Sequence, residues 1–419
     1  MDFDGRHVVV TQLNLFELAG SEVVTYELVR HLASRGARVT VVSYGFSADW
    51  LARFAELPAV RCFRLDDGDL EAHLREDPPH LAWIHHQLIP EELLRNPGGT
   101  AFVFHHMSSI QPQEFPISWE LEADLASLVL FSSAVARDRH VANGWFDGIE
   151  PERVQVFGNP APDEFFTDPP EQPPALERLV VVSNHMPPEV IEAIGSLAGE
   201  VEVTIIGRAD QPGARPAPVT ADTLRDADAV LTIGKTVQYA LAGGRPVYCY
   251  DHFGGPGWLG DENFEVARAH TFSGRGEGFG SKDAETIVRE LRGGFVAAAE
   301  TAKHLRTAYA EEFRLSSVLD RVVAATHLRA ARTPVRPRIE AHLALQQIFN
   351  GLTNAIEARQ QTTEYQRGLL AQRDAELERY RDAEDRAAAE LLEATEELEE
   401  LRARVAAVAS RRPSWVRRR

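Results

Sequence analysis

Twice along this chain of 419 residues, short apolar runs alternate with helical stretches, and six prolines crowded between Asn159 and Pro174 separate the two series. In the first series, apolar runs at 7–11, 38–43, 60–65, 80–85, 101–105 and 127–132 bracket helical patterns, the first of them a helix over 21–34 that Gly36 stops. In the second, runs at 179–183, 201–206, 229–233 and 246–250 repeat the design. Strands that alternate with helices build parallel sheets covered on both faces. Proline fixes φ and has no N–H to donate, so the stretch between the series reads as a linker, not as helix or central strand. The expected organisation is α/β: a doubly wound, Rossmann-like domain over 1–160, a proline-rich linker over 161–176 and a second Rossmann-like domain over 177–330. Two such domains in tandem enclose a cleft, and ligands of such sheets sit beyond the carboxyl ends of the strands.

A third element follows. From Leu345 to Val408 the seam positions step alternately by four and three residues without a break, starting Leu345, Phe349, Leu352, Ile356 and ending Leu391, Ala394, Leu398, Leu401, Val405, Val408. An apolar seam of period 3.5 specifies a left-handed coiled coil, expected here over 338–409, and a single helix along that seam is on the order of 95 Å long. Arg359, Thr363, Gln366, Arg373 and Glu384 interrupt the seam in its middle, and polar seam positions fix register or oligomer number. A homo-oligomer through this helix is the expectation. A solvated single helix, or one folded back on the globular body, is the alternative.

Composition narrows the function classes. A formal charge of −19 argues against a nucleic-acid binder, which needs a basic face to neutralise phosphates. Cys62 and Cys249 are too few for a disulfide framework or a structural zinc site, and read as buried small residues. No stretch is long and apolar enough to span a membrane and no secretory signal opens the chain, so a cytoplasmic location is expected. The tail over 410–419 carries five arginines with Trp415 and Val416 and no acid, a pattern suited to anionic lipid headgroups and peripheral membrane contact, or to a solvated tail.

Several segments resemble the GT-B glycosyltransferases, in particular the family 4 (glycosyltransferase group 1) enzymes of bacterial surface glycan synthesis. Leu18-Ala19-Gly20-Ser21-Glu22 and the run after it look like that group's first loop and helix. Phe131 to Arg137 and Pro151 to Pro160 are similar to its approach to the interdomain linker, and Ala227 to Leu231 with Gly234 to Val247 to its donor-binding strand, helix and strand. The resemblance runs over about residues 5 to 325 and implies transfer of a sugar from a nucleotide sugar to a cell-surface polysaccharide or lipid-linked glycan, with no metal and no other cofactor. Many retaining members carry two glutamates seven residues apart around the donor helix. Here Lys235 and Gln238 stand in that neighbourhood, which leaves the sugar, the stereochemical outcome and activity itself open. A non-catalytic assembly factor and a sugar-nucleotide epimerase are the rival readings.

Diphosphate departure needs a helix N-terminus and a cation close by. Gly234-Lys235-Thr236 sits where a strand ends and a helix begins, and Lys235 is one of only three lysines in the chain, with Lys282 and Lys303. Gly20 holds the equivalent place in the first domain, and Arg208 follows another strand end. Of the doublets His85-His86 and His105-His106, only one residue of each faces a given side of its strand. The resemblance matches His105 to a histidine near the reacting sugar, where it would donate a hydrogen bond or polarise the acceptor hydroxyl. The expected site is therefore His105 as the catalytic residue, with Gly20, Arg208, Gly234, Lys235, Thr236, Gln238, His252, Gly254 and Gly255 binding the donor, the last three in a loop after the final parallel strand. The glycine-rich 272–280 reads as a flexible lid. Asp67-Gly68-Asp69 and Asp226-Ala227-Asp228 do not have the setting of a metal site.

Overall fold

The computed structural model describes residues 3–169, 171–326 and 331–410. Residues 411–419, which hold the arginines of the basic tail, lie outside the described residues.

The first lobe runs β1 (His7–Gln12), α1 (Gly20–Ser34), β2 (Arg38–Ser43), α2 (Ala48–Ala55), β3 (Val60–Arg64), α3 (Leu70–Glu76), β4 (Leu81–His85), α4 (Glu91–Arg95), β5 (Ala101–His106), α5 (Trp119–Leu125), β6 (Ala126–Phe131), α6 (Ala134–Ala142) and β7 (Val154–Val156). Its seven strands are parallel in the order β3-β2-β1-β4-β5-β6-β7. The second lobe runs β8 (Arg178–Val182), α7 (Pro188–Leu197), β9 (Glu202–Ile206), α8 (Ala221–Arg225), β10 (Ala229–Thr232), α9 (Lys235–Ala242), β11 (Val247–Asp251), β12 (Gly254–Trp258), α10 (Phe264–Ala269) and α11 (Ala284–Phe313). Its sheet has the order β12-β11-β10-β8-β9, parallel except for the edge strand β12.

Strands β1, β4 and β6 are buried along their whole length, as expected of sheets covered on both faces. Each sheet has an apolar cluster on either side, built around Val8, Leu28 and Trp83 or Phe104 and Leu121 in the first lobe, and Val237 and Cys249 or Val190 and Leu291 in the second.

The chain crosses between the lobes twice, and the two crossings lie side by side. Ala161 N–H donates to Phe313 O at 2.7 Å, and Leu315 N–H donates to Ala161 O at 2.9 Å. The second crossing delivers α12 (Leu315–Ala325) to the first lobe, where Leu315, Val318, Leu319, Val322 and Val323 join the cluster around Trp83. The sequence reading runs the second domain to residue 330; these contacts assign 315–325 to the first. An amphipathic pattern reveals that a helix has an apolar face, not which sheet it covers.

The last helix, α13 (Arg336–Ser410), begins on the first lobe. Ile339 enters the cluster around Phe104, and Gln346 both accepts from Ile89 N–H at 2.7 Å and donates to Ile89 O at 3.0 Å. Phe349 also packs there, so the first positions of the heptad seam serve the lobe. Residues 351–410 form a separate unit, a helical rod whose apolar seam residues are exposed.

Leu319 is fully buried. Leu319→Ala should cost about 2–5 kcal/mol, the usual loss for emptying a buried leucine site. Chemical denaturation would read it as a lower midpoint for the first lobe.

Candidate functional site

A doubly wound sheet reverses its winding at one point, where the loops leaving neighbouring strands part to form a crevice. In the first sheet that point lies between β1 and β4, framed by the residues after Gln12 and His85. In the second it lies between β8 and β10, framed by Ser183 to His185 and Gly234 to Thr236.

Helices α1 and α9 join the two lobes through a buried junction. Lys235 Nζ lies 2.8 Å from Glu27 Oε2, and both side chains are almost wholly covered. The ammonium also donates to Pro160 O at 2.8 Å and Asn159 O at 3.4 Å. The Tyr239 hydroxyl donates to Glu27 Oε1, and its ring stacks on Phe165 at 4.1 Å. Gln238 Nε2 donates to Gly158 O. Gly158 and Asn159 hold φ of 72° and 51°, the left-handed region that asparagine tolerates better than most residues. That turn presents successive carbonyls to α9. Burial pushes the Glu27 carboxyl up, with Lys235 and Tyr239 opposing the shift.

This junction corrects part of the expected donor site. Lys235 is already neutralised by Glu27 and coordinated by carbonyls, so an incoming phosphate would have to displace the glutamate. Gly234, at φ 67°, donates its N–H to Phe272 O at 2.7 Å and is not a free anion donor. Gly254 and Gly255 lie in β12, antiparallel to β11, and not in an open loop. A Cβ on Gly254 would stand 2.5 Å from Gly280 O, and one on Gly255 2.0 Å from Cys249 O, so close backbone packing accounts for both glycines. Gly255 N–H donates to Gly280 O at 3.1 Å, which makes the glycine-rich segment a packed cover over β12. Arg275 closes the same corner, its guanidinium 3.5 Å from the Phe253 ring centre.

The remaining expected residues lie near the carboxyl ends of strands in the two sheets. Gly20 opens α1, and among the described residues no side chain caps that helix and nothing lies within 4 Å of where a Cβ would stand. Thr236 is half-buried in the first turn of α9. Arg208 follows β9, pairs with Asp210 at 3.2 Å and feels the charge of Glu17 from the first lobe. His252, about a third exposed, lies with its ring 5.4 Å from that of His185, beside the buried Asp251 that accepts from Ser183 Oγ at 3.0 Å.

His105 is at the centre of the first lobe's edge. As the alternation requires, His85 and His105 share one side of the sheet, and His106 takes the other. The indole N–H of Trp83 can only donate, and it reaches His85 Nε2 at 3.1 Å, so that nitrogen carries a lone pair. His105 Nδ1, 3.2 Å from it, can bond there only as a donor that shares this single lone pair with the Trp83 indole, and His85 Nδ1 turns its proton to Thr25 Oγ1 at 3.1 Å. What is left is His105 Nε2: a lone pair, buried, with no partner among the described residues. Burial, with Lys235 among the nearby charges acting in the same direction, lowers the His105 pKa to about 3. The ring is neutral and accepts hydrogen bonds, whereas the sequence reading allowed it to donate. Two more buried acceptors without partners among the described residues, Asn159 Oδ1 and Gln238 Oε1, lie at the junction just beyond Phe157, whose ring is 4.9 Å from that of His105.

On the other face of β5, acids and imidazoles form a second network. His86 Nε2 is 3.0 Å from Glu114 Oε1, and His106 Nε2 is 2.8 Å from Glu122 Oε1. Gln87 donates to Glu122 at 2.7 Å, and its own carbonyl accepts from Ser118 N–H at 3.0 Å. Burial works against a charge on His106, but Glu122 and Glu114 raise its pKa above the ordinary histidine value. Burial likewise opposes the charge on Glu114, yet His86 and His106 hold its pKa below the usual carboxylate range. His86 and Gln87 have φ of 54° and 49°, successive left-handed residues without glycine, a strain that persists where surrounding contacts enforce it.

Sequence reasoning missed Glu27, Glu114 and Asp251. Glu27 carried one signal, an acid set among the apolar positions Val24, Leu28 and Val29 of α1. Glu114 carried none, since its partners lie on other elements.

A cavity of about 430 Å³ lies beside the carboxyl end of β3 and the start of α13, lined by Asp66, Glu71, Glu91, Arg95 and Glu340 among others. Its charges satisfy one another: Glu71 accepts from the Glu91 and Glu92 N–H groups, and Arg95 bonds Glu91 and Glu340. Among the described residues no group of three or more His, Cys, Asp and Glu is placed to hold a metal. No helix among them is long and apolar enough to cross a membrane. Burial pushes the Cys62 and Cys249 thiols up to about 12.

No family model and no curated protein matches the chain. Among solved structures it is similar to Anabaena Alr3699/HepE in complex with UDP and glucose, at 13% identity and TM-score 0.49, over 77% of this chain and 99% of that one. It is also similar to the calicheamicin glycosyltransferase CalG4 (16%, TM-score 0.43, 77% and 98%) and to the lipopolysaccharide outer core galactosyltransferase WaaB in its apo form (13%, TM-score 0.42, 77% and 99%). The chain itself shows two α/β lobes with sheets of seven and five strands, the doubly wound pair expected from the alternation of strands and helices.

The buried neutral state of His105 has a consequence for pH. Its folded pKa of about 3 lies below the ordinary 6.5, so the unfolded chain binds the extra proton as pH falls from about 7 toward 3, and stability drops over that window. At full burial the slope approaches about 1.4 kcal/mol per pH unit. His105→Gln should flatten the acid limb of a melting-temperature profile relative to the native chain; an unchanged slope would show that His105 does not titrate this way.

Proposed function

We propose that the cleft binds a nucleotide sugar and that the chain transfers its sugar to a surface polysaccharide or lipid-linked glycan. The observation that carries this reading is the unpartnered lone pair of His105 at the carboxyl edge of β5. A buried acceptor without a donor costs free energy unless a ligand or water supplies one. With Asn159 and Gln238 also offering bare acceptors, this wall favours a ligand rich in hydroxyls. The uncapped start of α1 at Gly20, with Thr236 and Arg208 opposite, suits a diphosphate bound through backbone N–H groups and an arginine. In this reading Lys235 keeps α9 in place against α1 and does not hold the phosphate. His105 is too weak a base at neutral pH to remove a proton efficiently; it orients a sugar hydroxyl. The proposal requires no metal.

One observation favours a second reading, a non-catalytic member of a glycan-synthesis complex. Lys235, the cation at the start of α9, is already neutralised by Glu27.

A thermal-shift screen against UDP-, GDP- and dTDP-sugars, followed by product analysis, separates these cases. A ligand at 100 times its dissociation constant should add about 2.7 kcal/mol of stability. His105→Ala should weaken that binding about tenfold, one hydrogen bond to a buried acceptor. Binding with neither transfer nor hydrolysis supports the second reading, conversion of the free nucleotide sugar without an acceptor identifies an epimerase, and no binding by any sugar nucleotide overturns the proposal.

A further inference from the structure

We infer that the rod over 351–410 pairs with the rod of a second copy of this chain in antiparallel orientation. This inference stands apart from what the cleft binds. The rod's seam is apolar but open to solvent in a single chain: Leu352 is 56% exposed, Leu391 70% and Val405 67%. Its spacing keeps a strict heptad, so the partner must offer a matching seam, and a second copy does so by construction.

Charge within the seam selects the orientation. The heptad core positions are Ile356, Thr363, Leu370, Leu377, Glu384, Leu391, Leu398 and Val405 in one row, and Leu352, Arg359, Gln366, Arg373, Tyr380, Ala387, Ala394 and Leu401 in the other. In a parallel, in-register dimer each position faces itself, so Arg359 meets Arg359, Arg373 meets Arg373 and Glu384 meets Glu384. Three like-charge layers would then lie in the dry interface. In an antiparallel pair, residues of one row face residues of the other. Centring the pair between Leu377 and Tyr380 sets Arg373 against Glu384 of the second copy, and symmetry makes that contact twice. The same register places Leu352 against Val405 and Ile356 against Leu401, so apolar layers close both ends over roughly 80 Å of overlap. Arg359 falls opposite Leu398, where its methylenes can cover the leucine while the guanidinium reaches water.

The rim speaks for the other arrangement, since parallel helices would bring Glu376 near Arg381 and Glu397 near Arg402 of the second copy. Those pairs stay solvated, and exposed pairs contribute little. An uncompensated charge in the seam costs far more. The seam therefore decides.

The test uses the full chain with Cys62→Ser. Leu352→Cys and Val405→Cys proteins, mixed and then oxidised, should give a disulfide-linked dimer carrying one of each, while either protein alone should give little. Efficient self-crosslinking of Leu352→Cys alone would establish the parallel dimer and overturn the proposal. A monomer by light scattering at tens of micromolar would overturn it as well. Glu384→Arg should weaken self-association about tenfold or more, since an unpaired buried charge replaces a paired one, and Arg373→Glu with Glu384→Arg should restore it. In a parallel dimer the double exchange leaves the same like-charge layers, so failure to restore association also counts against the antiparallel pair.

Discussion

The shape of the cleft depends on a carboxylate and an ammonium buried between α1 and α9. Taking Glu27 and Lys235 out of water is costly, and a buried ion pair repays that cost only when its remaining hydrogen bonds are met. Here Tyr239 supplies one to the acid, and the carbonyls of Asn159 and Pro160 supply the rest to the base. Those carbonyls belong to the first chain crossing, which is itself bonded to the second at Ala161. Helix α1, helix α9 and both connections thus meet at one point. The junction adds little net stability by itself; what it sets is the relative placement of the two helix starts. Removing either charge would strand the other in an apolar site and free the lobes to shift.

That arrangement explains why some of the site could be read in the sequence and some could not. Strand-end positions are local properties: a run of apolar residues ends, and His105, Arg208 or Gly234 follows. Gly20 and His105 were singled out by that rule, and in the fold Gly20 opens α1 after β1 while His105 lies near the carboxyl end of β5. What a strand-end side chain does depends on partners far away in the chain. Lys235 reads as a phosphate contact because its helix start is visible, whereas the glutamate that occupies it is more than two hundred positions earlier. Gly254 and Gly255 follow the same logic. Their setting suggests close approach of a ligand, but the backbone of 280 and of Cys249 makes that approach instead.

The fold was legible in outline for the same reason. Strand and helix alternation is local, and it specified two doubly wound sheets and the proline-rich crossing. The destination of α12 is not local. Leu315, Leu319 and Val322 present an apolar face that either lobe could have received, and only the second crossing beside Ala161 commits it to the first. The start of α13 shows a further limit. Phe349 keeps the heptad spacing yet packs on the lobe, so a sequence repeat marks where a helix is apolar without separating docking from self-association.

The polar residues of the rod show why such interruptions should not be read as defects alone. Read for stability, Arg373 and Glu384 weaken the seam. Read for specificity, they are eleven positions apart in opposite rows, the separation at which an antiparallel copy brings one against the other. A uniformly apolar seam would pair in either orientation and at several registers with similar free energy. One complementary charged layer, repeated by symmetry on either side of Leu377 and Tyr380, favours this register over those that set both Arg373 and Glu384 against leucine or against their like. The stability given up in the middle of the rod is what makes one arrangement distinct from the rest.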